Sequence, residues 1–412
     1  MPQDIYQHTF PNGLTLLAER MEHVRSATLN FLVPAGCTND PPAHLGIASV
    51  LTEMIVRGAG DRDSRQLALA LDNLGVGRDE SVGGVHIQFW GGTLARNLPA
   101  ALEIYADLLR RPHFPEDELE PAQSLALQDI EGLEDEPGAK LKIELRKNHF
   151  PPPLGQDARG TVEGIRGLTI DTVRAHYQRL FRPNGTILSV AGNIDWPSLR
   201  DQVGKLFGDW EGGAEPVLNV GQARGGQSHI TKDTTQTHIG IAFASVPVTH
   251  PEYWAARGAV YVLGAGGMSS RLFTEVREKE GLCYAVSAGH ITFKDRASVI
   301  CYAGTTNERA QRTLDVIFRE LGRLQEGIEV DEVSRMQAGM KSALIMQQES
   351  TSARAQAMAS DWYFLGRIRP FGEIQEAVNN LTPDSILAHL RNLPPKDFTI
   401  VTLGQQALTV PA

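Results

Sequence analysis

The sequence predicts an α+β protein made of two similar halves, each a mostly antiparallel sheet with helices packed on one face. Three observations predict it. Helical and strand-like segments do not alternate with the regularity of a parallel doubly wound sheet. The two halves repeat the same series of elements, as a duplicated domain does. A glycine-rich break lies between them. The length of 412 residues also asks for more than one core, since domains commonly run to about 100–200 residues.

Strand-like runs lie at 27–33 (ATLNFLV), 85–90 (VHIQFW) and 186–191 (TILSVA), then at 238–243 (HIGIAF) and 298–302 (SVICY). In 46–58, Ile47, Val50, Leu51, Met54 and Ile55 recur at helical spacing, which predicts one buried helix face. Ser49, Thr52 and Glu53 occupy the other side, the position of a solvated face. Leu314, Ile317, Phe318, Leu321 and Leu324 mark a second amphipathic helix. The repeat is visible in VHIQFWGGTLARNLPAALEIYADLLRR followed by EDEL, and in ASVICYAGTTNERAQRTLDVIFRELGRL followed by VDEV. Gly92-Thr93 and Gly304-Thr305 mark the same step from strand to helix. Residues 211–228 (EGGAEPVLNVGQARGGQS) are poor in large apolar side chains and read as a junction. The expected division is therefore 1–212, a linker at 213–228, and 229–412.

Hydrophobic content of 42% and charged content of 21% are ordinary for a globular protein. A net charge of −10 argues against a nucleic-acid binder, whose phosphate contacts need a basic face. Three cysteines, Cys37, Cys283 and Cys301, make no disulfide framework and no C-x-x-C pair. The start, MPQDIYQHTFPNGLTLL, lacks the basic segment and apolar run of a signal peptide. No apolar stretch of about 20 residues suggests a membrane span. A cytoplasmic location is the expectation.

Residues 46–58 read G-I-A-S-V-L-T-E-M-I-V-R-G. This run resembles the metal-binding helix of the pitrilysin/insulinase family of zinc peptidases, where an inverted H-x-x-E-H lies in a context such as G-L-A-H-F-L-E-H-M-L-F-K-G. The apolar framework matches and the chemistry does not: Ser49 and Glu53 stand in the histidine positions and Thr52 in the glutamate position. Two imidazoles four residues apart reach one zinc from one helix face, and the glutamate takes a proton from the zinc-bound water. Serine is a poor ligand and threonine no general base near neutral pH. The family's third ligand, a glutamate in a later helix, falls on Asp129, one methylene shorter. His113-Phe-Pro-Glu116-Asp117 superficially echoes the motif, but Pro115 breaks the helical geometry it needs.

Residues 264–288, GAGGMSSRLFTEVREKEGLCYAVSA, are closely similar to the family's second-domain run G-x-x-S-R-L-x-x-x-V-R-E-x-x-G-L-x-Y. Its hallmark is an arginine and a tyrosine seven residues apart, here Arg277 and Tyr284. In the family this pair helps hold the scissile peptide carbonyl. Fixed guanidinium donors and a phenolic hydroxyl suit that task. A purely structural account would pair Arg277 with Glu278 or Glu280 and place Tyr284 in a strand core. Further matches are Phe10-Pro11-Asn12-Gly13-Leu14, Arg182-Pro183-Asn184, Val190 to Asp195, and Phe207-Gly208-Asp209-Trp210, so the resemblance covers about 5–405. One departure is Gly77-Arg78-Asp79-Glu80-Ser81, where active members carry an N-A-x-T strand that pairs with substrate.

The resemblance implies half of a clamshell. It also implies a non-catalytic subunit, inactive alone, that works with a homologous H-x-x-E-H-bearing partner. No cofactor is expected in this chain, and zinc is expected in the partner. Mitochondrial processing peptidase pairs a zinc-bearing chain with a zinc-less one in this way. Arg277 and Tyr284 would then contact peptide substrate across the interface. The alternatives are a scaffold like the core proteins of the respiratory cytochrome bc complex, or a peptide-binding homodimer. An active peptidase with atypical ligands would lack both base and ligands.

Overall fold

The computed structural model describes residues 3–214 and 216–410. The first sheet is built from β1 (Asp4–Thr9), β2 (Thr15–Arg20), β3 (Ser26–Val33), β6 (Gly77–Val82), β7 (Ile87–Leu94) and β8 (Ile187–Gly192), while β4 (Gly58–Ala59) and β5 (Arg62–Asp63) form a separate two-residue hairpin. Its order is β1-β2-β8-β3-β7-β6, and β2/β8 is its one parallel pair. The second sheet contains β9 (Gln227–Thr231), β10 (Gln236–Ser245), β11 (Cys283–Thr292), β12 (Ala297–Thr306) and β13 (Thr399–Gly404), in the order β11-β12-β10-β13-β9. Here too one pair, β13/β9, is parallel. Apart from the extra β1, the two orders superimpose term by term, with β6 equivalent to β11 and β7 to β12. Gly92-Thr93 and Gly304-Thr305 fall near the ends of the equivalent strands β7 and β12. The repeat in the sequence is thus a repeat of topology.

Contacts divide the described chain into two compact units. The first holds residues up to 132, 156–220 and 347–368, and the second holds 133–155, 221–346 and 369 onward. Each unit therefore includes one helix from the other half of the sequence. Pro137–His149 packs on β10 and β13, and Thr351–Leu365 packs on β2, β3 and β8. This explains a feature of the strands themselves. Strands β8 and β13 are buried at every position, and a strand with no solvent face must be covered on both sides. One face of β8, with Leu188 and Val190, joins the main core of the first unit. Its other face, with Ile187 and Ala191, packs on Ala355, Met358 and Ala359 of the donated helix. In the second unit Leu141 and Leu145 cover Ala242, Val401 and Leu403 in the same way.

The donated helix in the first unit is also fixed electrostatically. Arg354 Nε donates to Glu19 Oε2 of β2 at 2.7 Å, and both side chains are almost fully buried. No helix among the described residues is long and apolar enough to cross a membrane. Residues 211–226 contribute no helix or strand among those described.

Candidate functional site

The motif helix runs from Ile47 to Ile55, and Ile47, Val50, Leu51, Met54 and Ile55 are all buried as the spacing predicts. Its start is tightly built. Gly46 has φ +101 and caps the helix, and its N–H donates to Asp40 Oδ2 at 2.8 Å. Burial pushes the Asp40 carboxyl up to about 7, against the opposing hydrogen bonds from Gly46 and Ala48. The neighbouring His176, 3.9 Å from Asp40 Oδ1, is pushed down to about 4 by burial. Gly160 lies against this turn, where a Cβ would sit 2.1 Å from the Leu45 carbonyl oxygen.

The face expected to be solvated is not. Thr52 is buried and its hydroxyl donates to the Ala48 carbonyl at 2.8 Å. Ser49 is half-buried and donates to the Ala158 carbonyl at 2.6 Å, because residues 156–161 lie over this side of the helix. Only Glu53 is exposed, 3.5 Å from the Arg57 guanidinium. Asp129 is exposed on the adjacent helix Leu119–Gly132. Zinc needs at least three protein donors converging on one point. Here the two hydroxyls serve backbone carbonyls, and the two carboxylates are exposed on different helices. Among the described residues no three His, Cys, Asp or Glu are grouped so as to hold a metal ion. The residues do not fit the family's zinc. His113 is no substitute, since its Nε2 lies 2.7 Å from the Gly60 carbonyl.

The nearby edge strand β6 carries Asp79 and Glu80. Burial raises the Glu80 carboxyl above its usual range, Arg78 opposes this, and Asp79 and Glu53 reinforce it. Carboxylates so placed disfavour one another, and nothing in the strand restores the lost Asn-Ala step.

The second unit carries the other candidate group. Residues Phe273–Lys279 form a π-helical turn, a geometry that recurs at functional sites. A second π turn, Tyr261–Ala265, packs close to β11: a Cβ on Gly264 would lie 2.4 Å from the Ala288 nitrogen. The pairing of β11 with β12 skips one residue between Cys283 and Ala285. Tyr284 is that extra residue, and such a bulge re-aims a side chain out of the pleat. Tyr284 is 80% exposed, so it is not strand core. The Arg277 guanidinium lies over two rings, 4.6 Å from the Phe273 centroid and 4.9 Å from the Tyr284 centroid. It makes no hydrogen bond or ion pair among the described residues. Glu280 is taken instead by Arg312 and Arg319, so Arg277 does not pair with it. Cys283, just before the bulge, is half-buried, and burial pushes its thiol up to about 11, which leaves it a poor nucleophile.

The π turns, the bulge at Tyr284 and the arginines of the helix Ala310–Glu326 are absent from the sequence reading. Only the last left a signal: Arg312, Arg319 and Arg323 recur at i, i+7 and i+11, one face of a helix.

A duplicated sheet-and-helix domain, with a degenerate motif helix in one copy and an arginine–tyrosine turn in the other, defines a peptidase-like two-domain protein. A family model described as "Insulinase (Peptidase family M16)" matches residues 15–160, and one described as "Peptidase M16 inactive domain" matches 167–340. The chain belongs to this family, the pitrilysin/insulinase peptidases, as a member with a degenerate zinc motif. It is 26% identical over 392 residues to an uncharacterized zinc protease of Rickettsia felis, covering 95% of this chain and 94% of that one. It is 27% identical over 406 residues to the uncharacterized zinc protease YmxG of Bacillus subtilis, covering 97% and 98%. Among solved structures it resembles a peptidase M16 inactive domain from Pseudomonas fluorescens, with a TM-score of 0.91, 19% identity, and 99% and 100% coverage. A protease from Helicobacter pylori is similar, with a TM-score of 0.90, 18% identity, and 98% and 100% coverage. These two likenesses establish the α+β fold.

Proposed function

We propose that this chain is the non-catalytic subunit of a heterodimeric zinc metalloendopeptidase. In this reading residues 1–212 and 229–412 are homologous domains joined by 213–228, and the chain is one half of a clamshell that closes the peptide chamber with its partner. A homologous H-x-x-E-H subunit supplies the zinc, and this chain supplies Arg277 and Tyr284 in trans. The observation that carries the proposal is the state of Arg277. It is a permanently charged group lying over two rings, with its donors unspent, in a chain whose motif helix has a single exposed carboxylate, Glu53, to offer a metal. An arginine with this geometry presents fixed donors to a carbonyl oxygen, and donors aimed at a developing oxyanion stabilise the transition state.

Strand β11 ends its sheet, so its outer backbone groups can receive an extended peptide as an added strand. That mode gives affinity through backbone hydrogen bonds with little demand on sequence. A cytoplasmic setting belongs to the same proposal, since a sparse, odd set of three cysteines with no C-x-x-C spacing suits a reducing compartment.

The test is affinity isolation of the full chain from its source cells, with mass spectrometry of what accompanies it. An H-x-x-E-H chain of similar size, recovered in equal amount, is the expected result. Recovery of this chain alone or only with itself would overturn the proposal in favour of a scaffold or a peptide-binding homodimer.

A further inference from the structure

Three carboxylates, Glu275, Glu278 and Glu280, lie within three residues of Arg277 in the chain. Glu275 and Glu280 flank it on the same turn, and neither is left to it. Glu280 accepts a bidentate pair from Arg312, 2.8 Å from Nε and 3.0 Å from Nη2, and a further bond from Arg319 Nη1 at 3.0 Å. Glu275 accepts from Lys279 at 2.7 Å and lies 3.7 Å from Arg319 and 3.6 Å from Arg323.

The arginines are themselves anchored. Glu320, whose side chain is fully buried, accepts from Arg319 Nε at 3.1 Å and from Arg323 Nη1 at 3.1 and 3.0 Å. A buried carboxylate is tolerable only when paired, so Glu320 fixes the two arginines in place. Three carboxylates (Glu275, Glu280, Glu320) thus meet four cations (Lys279, Arg312, Arg319, Arg323), and the group is closed with positive charge to spare. Glu278 is exposed and makes no ion pair among the described residues.

We propose that Arg312 and Arg319 are positioning residues that sequester Glu280 and Glu275, and so keep the Arg277 guanidinium un-neutralised and available to a peptide carbonyl. This rests on the reading of Arg277 given above. A network that only anchored the π turn to its neighbouring helix would also cost stability when cut. The two roles separate in one respect: if sequestration matters, the harm done by losing the arginines comes from the released carboxylate, and removing that carboxylate repairs it.

The experiment measures binding of fluorescein-labelled oxidised insulin B chain, an unstructured peptide, to the full chain by fluorescence anisotropy. Circular dichroism melts check folding. Arg277→Ala and Arg312→Gln/Arg319→Gln should each weaken binding about ten- to hundredfold, the worth of one charge-assisted hydrogen bond. Adding Glu280→Gln to the arginine pair should return affinity to within about threefold of wild type, a residue of less than 1 kcal/mol. If the paired variant fails to fold, Arg312→Gln with and without Glu280→Gln is read instead, since Arg312 is the more exposed arm. Full affinity in the arginine variants, or no recovery on removing Glu280, overturns the proposal while the role of Arg277 stands. Full affinity in Arg277→Ala overturns both.

Discussion

Replacing Arg354 by alanine cuts the link between the donated helix Thr351–Leu365 and the sheet it covers. Arg354 Nη2 and Nε reach Glu19 Oε2 at 2.5 and 2.7 Å, with side-chain exposures of 3% and 7% for the arginine and glutamate. The substitution leaves the Glu19 carboxylate buried beside a void, and removing one partner of such a pair typically costs about 3–5 kcal/mol. The Gln3 side chain, 3.3 Å from Glu19 Oε1, donates a neutral and long bond that cannot replace a guanidinium. In a unit of this size each kcal/mol lowers Tm by about 2–4 °C, so a fall of about 6–20 °C is expected. Thermal melts read the fall in Tm and urea unfolding of the full chain reads the free-energy cost, each followed by tryptophan fluorescence and by far-ultraviolet circular dichroism. A companion variant, Glu19→Leu/Arg354→Met, removes both charges and keeps volume, and should recover most of the loss, since apolar replacement of a buried pair is often neutral. A cost below about 1 kcal/mol for Arg354→Ala, the range of an exposed pair, would refute the view that this contact seats the helix on β2.

Gly160→Ala should destabilise the first unit by several kcal/mol, because its φ of +74 and a Cβ at 2.1 Å from Leu45 O allow no relief short of moving the start of the motif helix; denaturant titration reads the loss. Tyr284→Ala should change stability by less than about 1 kcal/mol, as surface substitutions usually do, while weakening peptide binding by removing one ring from Arg277; a large Tm loss would contradict its exposed placement. His290 is held well below its ordinary value, at about 4, chiefly by burial, with Arg257 and His389 adding to it. The unfolded state therefore binds the extra proton between about pH 6.5 and 4, and stability falls as pH falls through that window, by up to about 1.4 kcal/mol per pH unit. His290→Gln should flatten that part of the stability–pH curve, and an unchanged slope would contradict the burial assignment.

Much of the fold was legible because its signals are local. The stripe at Ile47, Val50, Leu51, Met54 and Ile55 and the one at Leu314 to Leu324 are periodic, and both become buried helix faces. The five strand-like runs correspond to β3, β7, β8, β10 and β12. The exchange of Pro137–His149 and Thr351–Leu365 was not legible, because periodicity says which face is buried but not what buries it. A hint existed in 186–191, whose run lacks the alternation of a one-sided strand and which is covered on both faces. The polar side of the motif helix misled for the same reason: Ser49 and Thr52 look solvent-facing in a helical projection, yet non-local chain covers Ser49 and its hydroxyl answers the Ala158 carbonyl. At the second site, Arg277 and Tyr284 were singled out by the resemblance of the run 264–288 to the family's second-domain motif, since their types and spacing alone fit a surface ion pair and a strand core equally well. The bulge that turns Tyr284 outward depends on its register against Thr305 and Gly304 of β12, which no single-strand pattern encodes.

The most direct test of the account is peptidase activity reconstituted from two purified chains: this one and the H-x-x-E-H subunit isolated with it. The account predicts that neither chain alone cleaves an unstructured peptide efficiently and that the mixture does. It predicts further that Arg277→Ala in this chain lowers kcat/KM of the mixture by about 10²-fold or more, the scale of losing an oxyanion donor. Stoichiometric zinc binding with cleavage by this chain alone, or full activity of the mixture with Arg277→Ala, would contradict it.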